Sequence, residues 1–433
     1  MPQIKLVLSR MLIAALLFAS VPTANTQTEW SAGNLEIAST SLLAHAQLSA
    51  SDGVAGNALG TAVAVSGNTV VVGENCGQIT GNPSCNPQHQ GVVYVYQMPV
   101  SGWANMTQTA ELTPSDGFVG DGFGTSVAIS GSTIVVGAVS GLNGKVYVFV
   151  KPGSSWRNMT ETAQLTDGVS GDFFGNAVAI NNNTIVVGAP TATIGGNQSQ
   201  GAAYIFVKPA TKWVTTSKFN AELTASDGSF QDIFGDSVAV SGHTIVVGEP
   251  SHQGQNGPGE AYVFIEPLAG WANATQTAIL RRSNAGLFDE FGSSVAIAGN
   301  TIIVGAPQAV GMNNGQGVVD VFVKPSQGWI DTTEKAELVS PFFVDLFGLS
   351  IAIEGREVVV GTFSTKRTIF VYAQPAKGGW KSTSQPQMKL VSGSTSSFFG
   401  FSVAIASSSI VAGAPFQTVR GHTDQGAAFV FSQ

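Results

Sequence analysis

The chain is poor in charge, in cysteine and in histidine, and each shortage removes a class of function. Only 11% of its 433 residues are Asp, Glu, Lys or Arg, and their formal sum is −8. With no basic excess to meet phosphates, nucleic acid and anionic membrane are excluded as partners. There are two cysteines and five histidines: His45, His89, His243, His252 and His422. No G-x-S-x-G, H-E-x-x-H or phosphate-binding loop occurs. The apolar run Met11 to Ala19 is too short to span a bilayer, which needs about 20 residues.

That run nevertheless has the surroundings of a secretory leader. Lys5 and Arg10 precede it, and small residues follow from Ser20 to Ala24. Residues 1–24 are expected to be a signal peptide, residues 25–45 a lead segment, and the location secreted or extracytoplasmic. Losing Lys5 and Arg10 takes the formal charge from −8 to −10. In an oxidising compartment Cys76 and Cys85 are expected to bridge the short loop CGQITGNPSC. No transmembrane segment is expected after the leader is removed.

What the chain has in abundance is glycine (52 residues) and one recurring phrase. From Phe123 it reads FGTSVAISGSTIVVGAV, and from Phe291 it reads FGSSVAIAGNTIIVGAP. Its anchoring glycines are Gly60, Gly124, Gly175, Gly235, Gly292, Gly348 and Gly400, spaced by 51 to 64 residues. Periods of this length mark solenoids, propellers or arrays.

The second copy explains the rest. AELT from Ala110 alternates, and Ser126 to Ser130 alternates with Val127 and Ile129 on one face. Gly131-Ser132 then turns directly into Thr133 to Val136, a glycine-first hairpin signal. KVYVFV is apolar on both faces and must be covered on both. Each copy therefore reads as four antiparallel strands without a helix. Such a sheet is unstable alone, whereas copies stacked in a ring bury both faces and leave no exposed end.

The seventh copy stops after its third strand at GAAFVFSQ, while a spare outer strand, AQLSA from Ala46, precedes the first. The expected fold is an all-β, seven-bladed propeller over residues 46–433, closed by the N-terminal strand completing the last blade. A monomer is expected.

These residues resemble the FG-GAP repeat, the propeller unit of integrin α subunits and of many bacterial exported proteins. The FG pairs stand at Phe123-Gly124, Phe174-Gly175, Phe234-Gly235, Phe291-Gly292, Phe347-Gly348 and Phe399-Gly400, with Leu59-Gly60 divergent. GAP stands at Gly188, Gly305 and Gly413, with GEP at Gly248 and GEN at Gly73. The resemblance implies calcium in the hairpin between the first two strands, through a D-x-D-x-D-G loop. Here those hairpins are two or three residues long and lack clustered acids, whereas calcium needs six to eight oxygens. The calcium sites are not carried over, and no cofactor or metal is expected.

An aspartate lies three residues before the FG glycine at Asp121, Asp172, Asp232, Asp289 and Asp345. Turn capping accounts for them, since Asn57 and Ser397 substitute elsewhere. The sharper alternative is a ring of carboxylates on one face. His89, His252 and His422 occupy loops between second and third strands, but in three different blades, so they are not expected to converge on one metal.

Trp103, Trp156, Trp213, Trp271, Trp329 and Trp380 recur at one repeat position, which favours packing between blades. Asn105, Asn158, Asn182, Asn197 and Asn273 begin N-x-S/T sequons that a eukaryotic secretory route could glycosylate.

The loops between second and third strands should emerge beside the Asp-rich loops and vary most in length, which makes that face the expected ligand face. The expected function is a non-catalytic binding or adhesion module for a protein or carbohydrate at the cell exterior. The alternative is a hydrolase or lyase acting on glycans or phosphoesters at the mouth of the central channel.

Overall fold

Seven hydrophobic clusters hold the molecule together, and each draws residues from two neighbouring sheets. The computed structural model describes residues 40–75, 90–139, 144–252, 257–310, 316–342, 346–364, 366–393 and 398–432. Cys76, Cys85, His89, Asp345 and the expected signal peptide of residues 1–24 lie outside these residues. Among the described residues no helix is long and apolar enough to cross a membrane.

Each sheet is one copy of the phrase. In blade 2 the strands Phe123–Ser130, Thr133–Ala138, Lys145–Val150 and Ala163–Leu165 run antiparallel from the inside outward. The doubly apolar run is buried from Val146 to Phe149, as its pattern requires. Six further sheets repeat this order, and the first strands of successive blades touch one another in a closed ring, the seventh meeting the first. The fold is therefore a seven-bladed β-propeller.

The two glycines of the phrase explain why it recurs. The GAP glycine of each blade faces the carbonyl of the next blade's FG glycine, from Gly73 against Gly124 round to Gly413 against Gly60. A Cβ at Gly413 would overlap the Gly60 oxygen, and Gly60 itself sits at φ +103°. Side chains cannot enter where seven blades crowd inward. Ser402 Oγ donates to the same Gly60 oxygen at 2.9 Å.

Closure uses two N-terminal strands. Ala46–Ser49 pairs antiparallel with Ala427–Ser432 and completes blade 7. Thr40–Leu43 pairs in parallel with Met388–Val391, the outer strand of blade 6. This second pairing continues a general latch: the return after each third strand bridges in parallel to the preceding outer strand, as at Leu112 with Met159 and Leu223 with Ala274. Thr40–Leu43 makes the corresponding parallel pairing to the outer strand of blade 6.

The tryptophans pack as their repetition suggests. Trp156, Trp213, Trp329 and Trp380 are buried, each within a cluster shared by two blades.

Candidate functional site: the loop face

The incoming loops of blades 1, 2, 4, 5 and 6 lie along the loop between second and third strands of the blade before each. Phe234 N–H donates to Gln200 O and Leu59 N–H to Gln425 O, both at 2.9 Å. Phe347 donates likewise to Gln316 O at 3.0 Å. The two loop classes thus form one interlocked face, and the two-residue hairpins and the returns form the other. Eight large apolar side chains stand exposed on the interlocked face: Val54, Phe118, Val119, Val169, Phe230, Leu287, Phe288 and Val310, at 42% to 71%.

Beneath those tips the FG-minus-three acids are buried. Asp121, Asp172, Asp232 and Asp289 are at most 4% exposed, as is Asn57. They accept backbone N–H bonds within their loops: Phe118 to Asp121 at 2.8 Å, Phe174 to Asp172 at 3.1 Å, Ser229 to Asp232 at 2.5 Å and Gly286 to Asp289 at 2.8 Å. This is the turn chemistry read from the sequence. Burial pushes Asp121 up, and burial beside Asp167 pushes Asp172 up to about 8.

Upstream of these acids a Ser-Asp-Gly triplet recurs at 51–53, 115–117 and 226–228, and its aspartate has a partner that the sequence alone did not reveal. Tyr94, Tyr147 and Tyr262 donate to Asp52, Asp116 and Asp227 at 3.0, 2.9 and 3.3 Å. The signal was the tyrosine shared by the third strands of these blades, 31 to 42 residues downstream.

Blade 4 carries the densest group. Glu249 ends its second strand, His252 lies in the following loop, and Glu260 begins its third strand. Asp232 comes from the incoming loop. Glu249 and Asp232 are wholly buried, Glu260 4% exposed and His252 7%. Glu249 Oε1 meets His252 Nδ1 at 2.7 Å and accepts from Tyr262 at 3.0 Å, while its Oε2 is buried without a hydrogen bond.

His252 Nε2 lies 3.7 Å from Glu260 Oε1. Glu260 is in turn gripped by Arg281 at 2.5 and 3.1 Å. Burial pushes Glu249 up to about 8, against the hydrogen bonds from His252 and Tyr262. Burial disfavours the charged His252, but its bond to Glu249 and the charges of Glu260, Glu249 and Asp232 outweigh this and raise it to about 9.

Blade 5 solves the same problem with arginine. Arg282 is 5% exposed and reaches Asp289 at 2.5 Å, Asp320 at 2.9 Å and Glu337 at 3.1 Å. Burial works against its charge, yet the three carboxylates more than offset this and hold its pKa above the ordinary value.

The remaining candidates do not join these groups. His422 is exposed on a tight turn of blade 7, far along the chain from His252 and its acids. The sequon asparagines act as latches: Asn105, Asn158 and Asn273 accept from the N–H groups of Gln47, Glu111 and Glu222 at 2.8, 2.9 and 2.9 Å. Asn182 takes the left-handed position of a hairpin, and Asn197 Nδ2 donates to Gln200 at 3.0 Å.

The sequence profile of the FG-GAP repeat matches residues 44–96, 106–149, 159–206, 218–264, 274–322 and 387–431. No curated protein matches the chain in sequence. Among solved structures, the computationally designed Ika8 protein is similar over 90% of this chain and 100% of its own, with a TM-score of 0.50 at 15% identity. At that identity the likeness concerns the fold alone.

Proposed function

The chain belongs to the FG-GAP repeat family, and on that premise we propose that it is an exported, non-catalytic binding propeller that engages a protein ligand through its loop face. The observation that carries this reading is the set of exposed apolar tips. Incoming loops of five successive blades each present Val, Leu or Phe to solvent on the same side. Monomers seldom leave such residues grouped, and grouped apolar tips on a rigid scaffold suit a protein partner. Export is supported by the leader pattern of residues 1–24.

The non-catalytic reading is supported by the placement of the acids. Asp172, Asp232, Glu249 and Asp320 are sealed under the loops, and the cleft of about 360 Å³ beside Trp380 is lined without any carboxylate.

The test is a panel of extracellular proteins and glycans presented to the full chain and to a Phe118→Ser/Phe230→Ser/Phe288→Ser variant. The reading expects protein capture that the triple variant loses. A Val100→Ser/Leu268→Ser variant on the opposite face should retain it. Capture of glycans only would replace the ligand class, and hydrolysis of a polysaccharide without any capture would overturn the reading.

A further inference from the structure

We propose that Asp232, Glu249 and His252 form a divalent-cation site that takes zinc in preference to calcium. One ligand atom from each lies within 4.8 Å of those of the other two, and all three residues are buried. The group is more than a knot of acids. It includes an imidazole, and it includes a wholly buried carboxylate oxygen, Glu249 Oε2, that accepts no hydrogen bond. A buried oxygen left in that condition costs free energy that a bound cation would offset.

Charge counting points the same way. Asp227, Asp232, Glu249 and Glu260 face one imidazole, His252, and one guanidinium, Arg281. The guanidinium is committed to Glu260 and Asp227, which sets that side of the cluster aside as a cation position. The imidazole of His252 lies on the other side, towards Asp232 and Glu249.

The donor set selects the metal. Two carboxylates and one imidazole suit zinc, which accepts three protein ligands and a fourth small one. Calcium wants six to eight oxygens and no nitrogen, and three ligands in a closed pocket do not supply them.

With Nδ1 turned to Glu249, His252 Nε2 lies 3.7 Å from Glu260 Oε1. That ion-pair separation would have to close by about 0.7 Å to make the carboxylate–histidine hydrogen bond that orients metal-bound imidazoles. The His252–Glu249 pair, at 2.7 Å, would have to open to about 3.3 Å to become two ligands of a tetrahedral zinc. The cation would pin the loop after Glu249 to the loop carrying Asp232, stiffening the ligand face at blade 4.

The rest of the molecule provides controls. The Glu249 position is Ala138, Ala189, Ala306 and Ala414 in four other blades, so Glu249→Ala restores a residue the fold already uses. Glu74 occupies it in blade 1, where Asn57 replaces the aspartate and hydrogen-bonds the carboxyl.

The experiment is zinc titration of the untagged full chain after chelator treatment and dialysis, followed by calorimetry and thermal unfolding. One zinc per chain is expected, with a Tm rise of about 3 °C at zinc a hundredfold above Kd. Asp232→Asn and His252→Gln should weaken binding by at least about tenfold, and Glu249→Ala should do so while keeping its circular dichroism. Glu74→Gln, His422→Gln and Cys76→Ser/Cys85→Ser should bind as the unmodified chain does, and millimolar calcium should not compete. Absence of stoichiometric zinc, or undiminished binding by folded Glu249→Ala or Asp232→Asn, would overturn the proposal. Loss of zinc in the cysteine variant alone would overturn it too. None of these outcomes depends on the ligand panel.

Discussion

Blades 4 and 5 are entered by segments of equal length, from Ala221 to Gly235 and from Ala278 to Gly292, yet they treat the same buried aspartate differently. In blade 5 the chain provides the cation. Arg282 fills the space beside Asp289, and Asp320 replaces the usual tyrosine to hold it. In blade 4 the corresponding positions are Ala225 and Tyr262, and the positive partner is His252, reached through Glu249. Four blades bury a carboxylate three residues before the FG glycine: Asp121, Asp172, Asp232 and Asp289. What neutralises it is chosen blade by blade, and that choice distinguishes otherwise equivalent repeats.

The contrast breaks most severely at Arg282. Arg282→Leu strands Asp289 and Asp320 without a cation, and a loss of about 3–5 kcal/mol is expected in urea unfolding. Pairing Arg282→Ala with Asp320→Tyr copies blade 4's Ala225 and Tyr262 and should recover at least half of it. An Arg282→Leu chain as stable as the original would mean that blade 5 needs no internal cation.

Blade 1 places a glutamate, Glu74, at the position of Glu249. Burial raises Glu74 from 4.5 to about 8, opposed by its bond to Asn57 and reinforced by Asp52. The folded chain then holds a proton between those values that the unfolded chain lacks. Its contribution to stability is complete below pH 4.5 and is lost as the pH rises through 8. The shift sets a ceiling of about 5 kcal/mol, and about half that is expected after water penetration. Glu74→Gln should flatten the decline between pH 5 and 9 in chemical unfolding. An unchanged slope would place the charge elsewhere.

The smallest effect belongs to the shared scaffold. Gly248→Ala and Gly305→Ala each press a Cβ on the next blade's backbone carbonyl and should cost about 1–3 kcal/mol apiece. Equal losses in thermal unfolding are expected, because the inner ring is the same in both blades. Unequal ones would show that the loop differences reach the axis.

The fold was legible because its constraints are local and repeated. Gly60 and Gly413 face each other across the closure, but each belongs to a motif visible seven times, and the orphan strand at Ala46 could be counted. The strand Thr40–Leu43 was not legible, since the four residues TSLL carry no alternation that marks pairing with Met388–Val391.

The candidate site was hidden for a similar reason. The Asp227–Tyr262 and Asp232–Glu249–His252 groupings form only once the incoming loop lies on the loop before it and the third strand is in place. Comparing histidines across blades therefore missed acids within one blade. The single available hint was the Glu that replaces Ala in GEP.

The most direct measurement is anomalous diffraction at the zinc edge from crystals of the full chain grown with zinc. A single strong peak is predicted within about 2.0–2.2 Å of Asp232, Glu249 and His252, with none beside Asp289, where Arg282 already stands. No peak in blade 4, or a peak of equal height in the Arg282 pocket, would contradict the account.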